Sequence, residues 1–355
     1  MRLPPTWVRR IVLSPLVIVA GLGMLALTPL WLLVALALTS LVPGRFRLPR
    51  VLWLVTVYLL WDAMLVIAMF ALWIASGFGY ALRRPGFVTA HYRLGAWGLR
   101  LLFWIFGGVL RLTITTTGSD ERDDAGDAAF RELFAPGTPL VVASRHGGPG
   151  DSFILIHILL NAVARRPRIV LKYTLEWDPA IDILLHRVPA RFIVPSGFGR
   201  TPAGGGGRVE ETLAELATRL GPADAFVIFP EGGNVSATRR LSRIQRLRDA
   251  GRDAMAERAE AMQHVMAPQP GGMHAALTAA PGADVVFIGH TGLDRLVTLR
   301  DIWRELPMDK GITMRAWRVP RADIPDDLDA QAVWLFDWFA RIDAWISAQS
   351  PEPPG

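Results

Sequence analysis

The sequence predicts an α/β fold, a sheet flanked by helices, carried behind an N-terminal two-helix membrane anchor. Three observations predict it. Short apolar, strand-like runs alternate with helix-capable runs from Leu112 towards the C-terminus. Two of those runs, 140–143 and 225–229, end in polar, glycine-rich turns. Two long apolar stretches, 11–42 and 51–79, precede them all.

The anchor comes first in the chain. Residues 11–42 hold no charge, and 51–79 hold only Asp62. Each stretch exceeds the ~20 residues that span a bilayer. Arg9 and Arg10 precede the first, Arg45, Arg47 and Arg50 separate the two, and Arg83 and Arg84 follow the second. Arginines at all three places leave the positive-inside rule without a decision. Two spans would put Arg9 and Arg83 on one side, expected to be the cytoplasmic face of a bacterial cell membrane. A re-entrant, leaflet-embedded hairpin stays open, because Pro15, Pro29 and the short link 43–49 interrupt the helices. A cleaved signal peptide is not expected, since the first run is too long and a second follows. Asp62 is expected to pair with a polar group or to reach the headgroups.

Charge supports the same reading. Residues 1–110 carry +9 of the overall +6, so the remainder carries −3. The positive excess lies beside apolar runs, which points to anionic lipid and not to nucleic acid. With no cysteine, disulfides and thiolate zinc sites are excluded. The length of 355 residues allows a large core and an additional module. The expected division is a membrane hairpin over 1–90, a catalytic domain over 91–348 and a disordered tail over 349–355.

Within the second part, 91–110 mixes arginines with Trp97 and Trp104 and reads as an interfacial helix or as a buried domain helix. Leu112–Thr117 alternates apolar and polar residues, as a strand does. The acidic segment 120–127 reads as a loop. Strands are expected at 140–143, 168–173, 191–194, 225–229 and 285–289. Helices are expected at 154–160, 178–186 and 209–220. The glycine run 203–207 lacks the Gly-Lys-Ser/Thr ending of a phosphate-binding loop and reads as a mobile connection. Arg239, Arg243 and Arg246 share one helical face, either a solvated face or a surface for phosphate or lipid.

The chemistry is expected in the two turns. The first reads Ser144-Arg145-His146-Gly147-Gly148-Pro149-Gly150-Asp151. His146 is placed to be a general base, with Asp151 holding its imidazole. A plainer alternative makes Asp151 the N-cap of the next helix. The second turn reads Phe229-Pro230-Glu231-Gly232-Gly233-Asn234-Val235-Ser236.

Ser-Arg-His-x4-Asp followed by Phe-Pro-Glu-Gly resembles the lysophospholipid acyltransferase family, the H-x4-D glycerolipid acyltransferases. The resemblance covers about 91–348 and implies a mixed sheet flanked by helices. It implies that His146 takes the proton from a glycerol hydroxyl attacking an acyl thioester, while Asp151 orients the imidazole. It implies substrate binding at Glu231, Gly232 and Gly233. The family's Thr-Arg after that glycine is replaced by Gly233-Asn234, and its phosphate-contacting arginine falls at Ser196. Arg200 or Arg191 could substitute, and Lys172 resembles a family lysine, though Arg200 and Lys172 read equally as solvated charges. Arg239 follows the second turn and is a further candidate for substrate binding. The segment 264–272 resembles a block of the lysocardiolipin-type members, with Gln269 where arginine is common, and 314–319 followed by 332–346 resembles the closing strand and helix of that subgroup.

The expected activity is therefore acyl transfer from acyl-CoA or acyl carrier protein to a lysophospholipid in a membrane, by default 1-acyl-glycerol-3-phosphate to phosphatidate. No cofactor, metal or nucleic acid is expected. His290 follows a strand with no acid placed to recruit it, and His186 has no ligand-like pairing. The competing readings are another lysolipid or glycolipid acceptor, a serine hydrolase using Ser144 or Ser152, and a non-catalytic lipid-binding protein. The hydrolase lacks a Gly-x-Ser-x-Gly elbow.

Overall fold

The computed structural model describes residues 3–349 except 43, 45, 119–125, 149, 194–204, 234, 293–302 and 307, and for 205–208 the backbone alone. Arg200, Ser196, Asn234, most of the acidic segment and the tail beyond Gln349 lie outside the described residues. The chain forms two compact units. One comprises Met1–Leu112, Leu171–Pro195 and Arg300–Lys310, and the other Thr113–Val170, Ser196–Leu299 and Gly311–Gly355.

The first unit is built on apolar helices. Helix α1 runs Thr6–Ala26, with a π-helical stretch at Arg9–Leu13, and α2 runs Thr28–Ala37. The uncharged stretch 11–42 is thus two helices and not one. Pro29 sits in the first turn of α2, lacks an N–H and would clash with the carbonyl four residues earlier, so the helix restarts at Thr28. Helix α3 covers Arg47–Ala75 and ends before Gly77 and Gly79, both at positive φ. Helix α4 covers Pro85–Leu110, begun by a first-turn proline. Helices α1, α3 and α4 are each long and apolar enough to cross a membrane, which points to membrane association. The expected 91–110 helix is therefore longer than its sequence signal, and Trp104 on it is 76% exposed.

Close packing joins these helices. A Cβ on Gly21 would lie 3.2 Å from the backbone of Leu59, so glycine there lets α1 and α3 approach. Trp61 Nε1 donates to Gly98 O at 2.7 Å, tying α3 to α4. Asp62 is buried and accepts the Ala180 N–H at 2.7 Å. It meets a polar backbone group rather than headgroups.

Further along come strand β1 (Leu112–Thr117), helix α5 (Gly126–Glu132), strand β2 (Leu140–Ser144), helix α6 (Asp151–Asn161) and strand β3 (Arg166–Lys172). A 3-10 turn, Tyr173–Trp177, precedes helix α7 (Pro179–Leu185) and strand β4 (Ala190–Ile193). Asp178 caps α7, its Oδ1 accepting the Ile181 N–H at 2.8 Å. Glu176, Asp182 and His186 gather within 4.8 Å of one another, so His186 does have ligand-like neighbours. The i, i+4 spacing of Asp182 and His186 along α7 brings them together. Arg9 donates to Asp182 Oδ1 at 3.1 Å, and Arg10 lies 3.7 Å from Oδ2, so cations already answer this acid. Burial opposes ionisation of Asp182, but His186, Arg9 and Arg10 hold it below the usual carboxylate range.

The remaining elements are helix α8 (Gly205–Ala217), strand β5 (Asp224–Ile228), helices α9 (Ala237–Asp249), α10 (Asp253–Ala261) and α11 (Pro270–Ala279), strands β6 (Asp284–Thr291) and β7 (Lys310–Val319), and helix α12 (Leu328–Gln349). Gly205, Gly206 and Gly207 open α8, which corrects their reading as a connecting loop. Each glycine costs helix about 1 kcal/mol, which the amphipathic residues after them offset.

The strands form one mixed sheet in the order β1-β7-β6-β2-β5-β3-β4. Strand β2 is fully buried and parallel to β5 and β6, with Val142 beside Val227 and Val286. Burial on both faces explains its unbroken apolar run. Strand β7 runs antiparallel to β6. In the second unit, α12 packs on this sheet, with Trp338 stacked on Phe287 at 4.7 Å. Its Trp345 lies where a Cβ on Gly289 would come within 3.1 Å. The carboxyl ends of β2, β5 and β6 lie side by side, and the two polar turns and His290 project there.

Candidate active site

Beyond Ser144 the chain stays beside β6, because the Arg145 N–H donates to Ile288 O at 3.1 Å. Arg145 is buried, and its guanidinium donates to His290 O at 2.6 Å and His264 O at 3.2 Å. The residue after His146 must be small. A Cβ on Gly147 would come 2.7 Å from Arg145 Nη2 and 3.0 Å from His290 Cε1. Gly150, at φ 99°, then turns the chain into α6.

This turn brings His146 and Asp151 together. Asp151 Oδ2 accepts His146 Nδ1 at 2.7 Å and the Gly148 N–H at 3.3 Å. Its Oδ1 accepts the Ser152 N–H at 2.6 Å. Gly150, and not Asp151, is the cap position of α6, so the aspartate serves the histidine. Burial opposes ionisation of Asp151. The His146 hydrogen bond, the charges of His146 and His290 and the Gly148 N–H overcome it and keep the carboxyl below its ordinary range. With Nδ1 engaged, Nε2 is the nitrogen available for proton transfer. The His146 side chain is 15% exposed, and its ring rests 4.7 Å from that of Phe229.

The second turn fixes the first. Glu231 is 0% exposed. Its Oε2 accepts the His146 N–H at 3.1 Å and its Oε1 the Met266 N–H at 3.4 Å. Both oxygens thus face backbone donors inside the protein. Burial pushes the Glu231 carboxyl up to about 8, against Arg145, the two N–H groups and Arg243. Val235 N–H donates to His146 O at 3.3 Å, so the second turn grips both backbone groups of the histidine.

Gly232 and Gly233 face other side chains. Gly232 has φ 66°, and a Cβ there would lie 2.5 Å from Gln269 Nε2. A Cβ on Gly233 would lie 2.6 Å from Arg239 Nη1. Arg239 thus reaches from the first turn of α9 back over the glycine turn, and Ser236 caps that helix by accepting the Arg239 N–H at 3.4 Å. The three arginines of α9 do not act alike. Arg239 and Arg246 are exposed, whereas Arg243 turns inward and donates to Glu231 O at 2.6 Å and Ala267 O at 2.7 Å. Burial pulls the Arg243 guanidinium down to about 10.

The segment after α10 is a scaffold. Asp343 of α12 accepts the N–H groups of Gln263 at 3.0 Å, His264 at 2.6 Å and Val265 at 3.1 Å. Gln269 N–H donates to Pro230 O at 2.8 Å. Lys172 is exposed at the end of β3. Two groups escaped the sequence reading. Arg145 was visible only as part of the motif, and His290 was expected to lack an acid. Strand β6 in fact delivers His290 Nε2 to 3.7 Å from Asp151 Oδ2. The signal that could have found it was the expected strand ending beside the His146 turn.

Residues 127–290 match the family model described as Acyltransferase. No curated protein and no solved structure matches the chain. The matched segment contains β2, both turns and β6 as far as His290. That model, of the glycerolipid acyltransferases, which include the lysophospholipid acyltransferases, covers residues 127–290, and over this segment the chain is similar to that family.

Proposed function

We propose that the protein is a membrane-bound O-acyltransferase that moves a fatty acyl group from acyl-CoA or acyl carrier protein to a lysophospholipid hydroxyl. The proposed reaction is 1-acyl-glycerol-3-phosphate to phosphatidate, at the cytoplasmic face of a bacterial membrane. The observation that carries this reading is the 2.7 Å pairing of His146 Nδ1 with Asp151 Oδ2 on a chain whose apolar helices point to membrane association.

The mechanism needs no covalent intermediate on the enzyme. His146 Nε2 removes the hydroxyl proton as the acceptor oxygen attacks the thioester carbonyl. The C–S bond then breaks, and the thiol leaves with a proton. Asp151 keeps Nδ1 protonated and stabilises the imidazolium during transfer. A base, a bound hydroxyl and a thioester held together account for much of the rate. Gly148 and Gly232 direct their N–H groups to Asp151 and to Phe229 O, so Gly147 and Gly233 are the proposed oxyanion donors.

Arg239 is proposed to bind the acceptor phosphate, in place of the arginine that the second turn does not carry. Lys172 and Arg200 are proposed as further cationic contacts. A different lysolipid or glycolipid is the second reading, favoured by the Gly232-Gly233 sequence of the turn. The hydrolase reading loses support at Ser144, which is buried and donates to Arg145 O at 3.1 Å. Incubating membranes containing the protein with labelled acyl-CoA or acyl carrier protein and a panel of lysolipids tests the proposal. Product formation names the acceptor. Absence of product with both donors rejects acyl transfer.

A further inference from the structure

We infer that His290 is a positioning residue for the reacting pair, because it and His146 flank the same oxygen of Asp151. His146 Nδ1 lies 2.7 Å and His290 Nε2 lies 3.7 Å from Oδ2. His290 and the Asp151 side chain are 3% and 2% exposed, so water screens neither.

The His290 ring is fixed from several directions. Its backbone lies in β6, paired with Met314 of β7, and its carbonyl accepts Arg145 Nη1 at 2.6 Å. The Gly147 backbone lies against the ring, since a Cβ there would meet Cε1 at 3.0 Å. A surface histidine would have none of these constraints. At 3.7 Å the attraction to Oδ2 is weaker than an ordinary hydrogen bond. It acts on a carboxylate otherwise held by His146, Gly148 and Ser152, whose alignment depends on its rotation about the Cβ–Cγ bond. A second imidazole 3.7 Å from Oδ2 restricts that rotation. It keeps Oδ2 in line with Nδ1 as positive charge builds on His146. Outer partners of this type typically change activity by about 10- to 100-fold.

The kinetic consequence rests on the proposed general-base reading, whereas the structural consequence does not. The test therefore has two arms on the full chain in lipid nanodiscs. In the first, the seven histidines are labelled with nitrogen-15 and His146 is assigned by substitution. The wild-type His146 should show a single Nδ1-protonated tautomer. H290L should mix the tautomers, while H290Q, which carries an amide N–H near the Nε2 position, should preserve one. H290N, with its N–H near the Nδ1 position, should resemble H290L and replaces it should the leucine variant not fold. An unchanged His146 signal in folded H290L, or identical behaviour of H290Q and H290N, overturns the inference.

In the second arm, H290L should lower kcat about 10- to 100-fold with KM little changed, and H290Q should recover most of it. In an Asp151→Asn background H290L should add less than about 3-fold, because it acts through that carboxylate. A full additional loss there overturns the inference. A wild type without acyl transfer would count against the proposed function, and the nitrogen-15 comparison would still decide the role of His290.

Discussion

Glu231 Oε2 accepts the backbone N–H of His146 at 3.1 Å, across two turns that are 85 residues apart in sequence. The conspicuous acid of the second turn therefore holds the base of the first turn in place. Glu231→Ala removes the acceptor from both backbone donors. We expect kcat to fall about 10-fold or more with acceptor KM nearly unchanged, measured by steady-state acyl transfer. A rise in KM alone would return Glu231 to direct acceptor binding.

Glu231 also predicts a pH dependence of stability. Its carboxyl is pushed up from 4.5 to about 8 by burial. A raised folded-state value means that its contribution is fully present below the unfolded value and is lost as pH rises through the folded one. Thermal stability should fall between about pH 5 and pH 8, by up to ~1.4 kcal/mol per pH unit. Glu231→Gln should flatten that slope. A slope that survives the substitution would belong to another group.

Arg239 and Arg243 occupy one face of α9 and should differ in kind. Arg239→Ala should raise acceptor KM about 10-fold for a phosphate-bearing lysolipid while leaving the melting temperature nearly unchanged. Arg243→Ala, which strips the Glu231 and Ala267 carbonyls of a partly buried donor, should lower stability by about 1–3 kcal/mol. Comparing KM and thermal melts for both variants decides this. Equal effects would dissolve the distinction.

Arg165 is a fold determinant remote from the chemistry. Its buried guanidinium donates to the carbonyls of Phe134 at 2.7 Å, Thr138 at 2.9 Å and Pro222 at 2.6 Å. Arg165→Ala should cost about 3 kcal/mol or more, read as a large drop in folded protein or melting temperature. A stable variant would show that water replaces the guanidinium.

Local pattern made part of this fold legible and tertiary contact hid the rest. Leu112–Thr117 declares itself by alternation, and β2 by an apolar run that ends in a glycine turn. The pairing of His146 with Asp151 follows from a spacing that one turn can close. The break between α1 and α2 was present as Pro29, but uninterrupted hydropathy masked it. Glu231 reads as a polar residue in a polar turn, and its burial depends on the segment before α11, which supplies Met266. Arg243 and Arg239 share a helical spacing, and only the fold separates the inward from the outward one. His290 lies 139 residues after Asp151, so nothing local could join them.

The most direct test of the account compares wild type with His146→Ala in membranes, using labelled acyl donor and lysophosphatidate. The account predicts phosphatidate from wild type, a loss of about 1,000-fold or more in the variant, and equal membrane association of both proteins. Undiminished turnover by a membrane-bound His146→Ala protein would contradict the assignment of His146 as the base, and with it the mechanism.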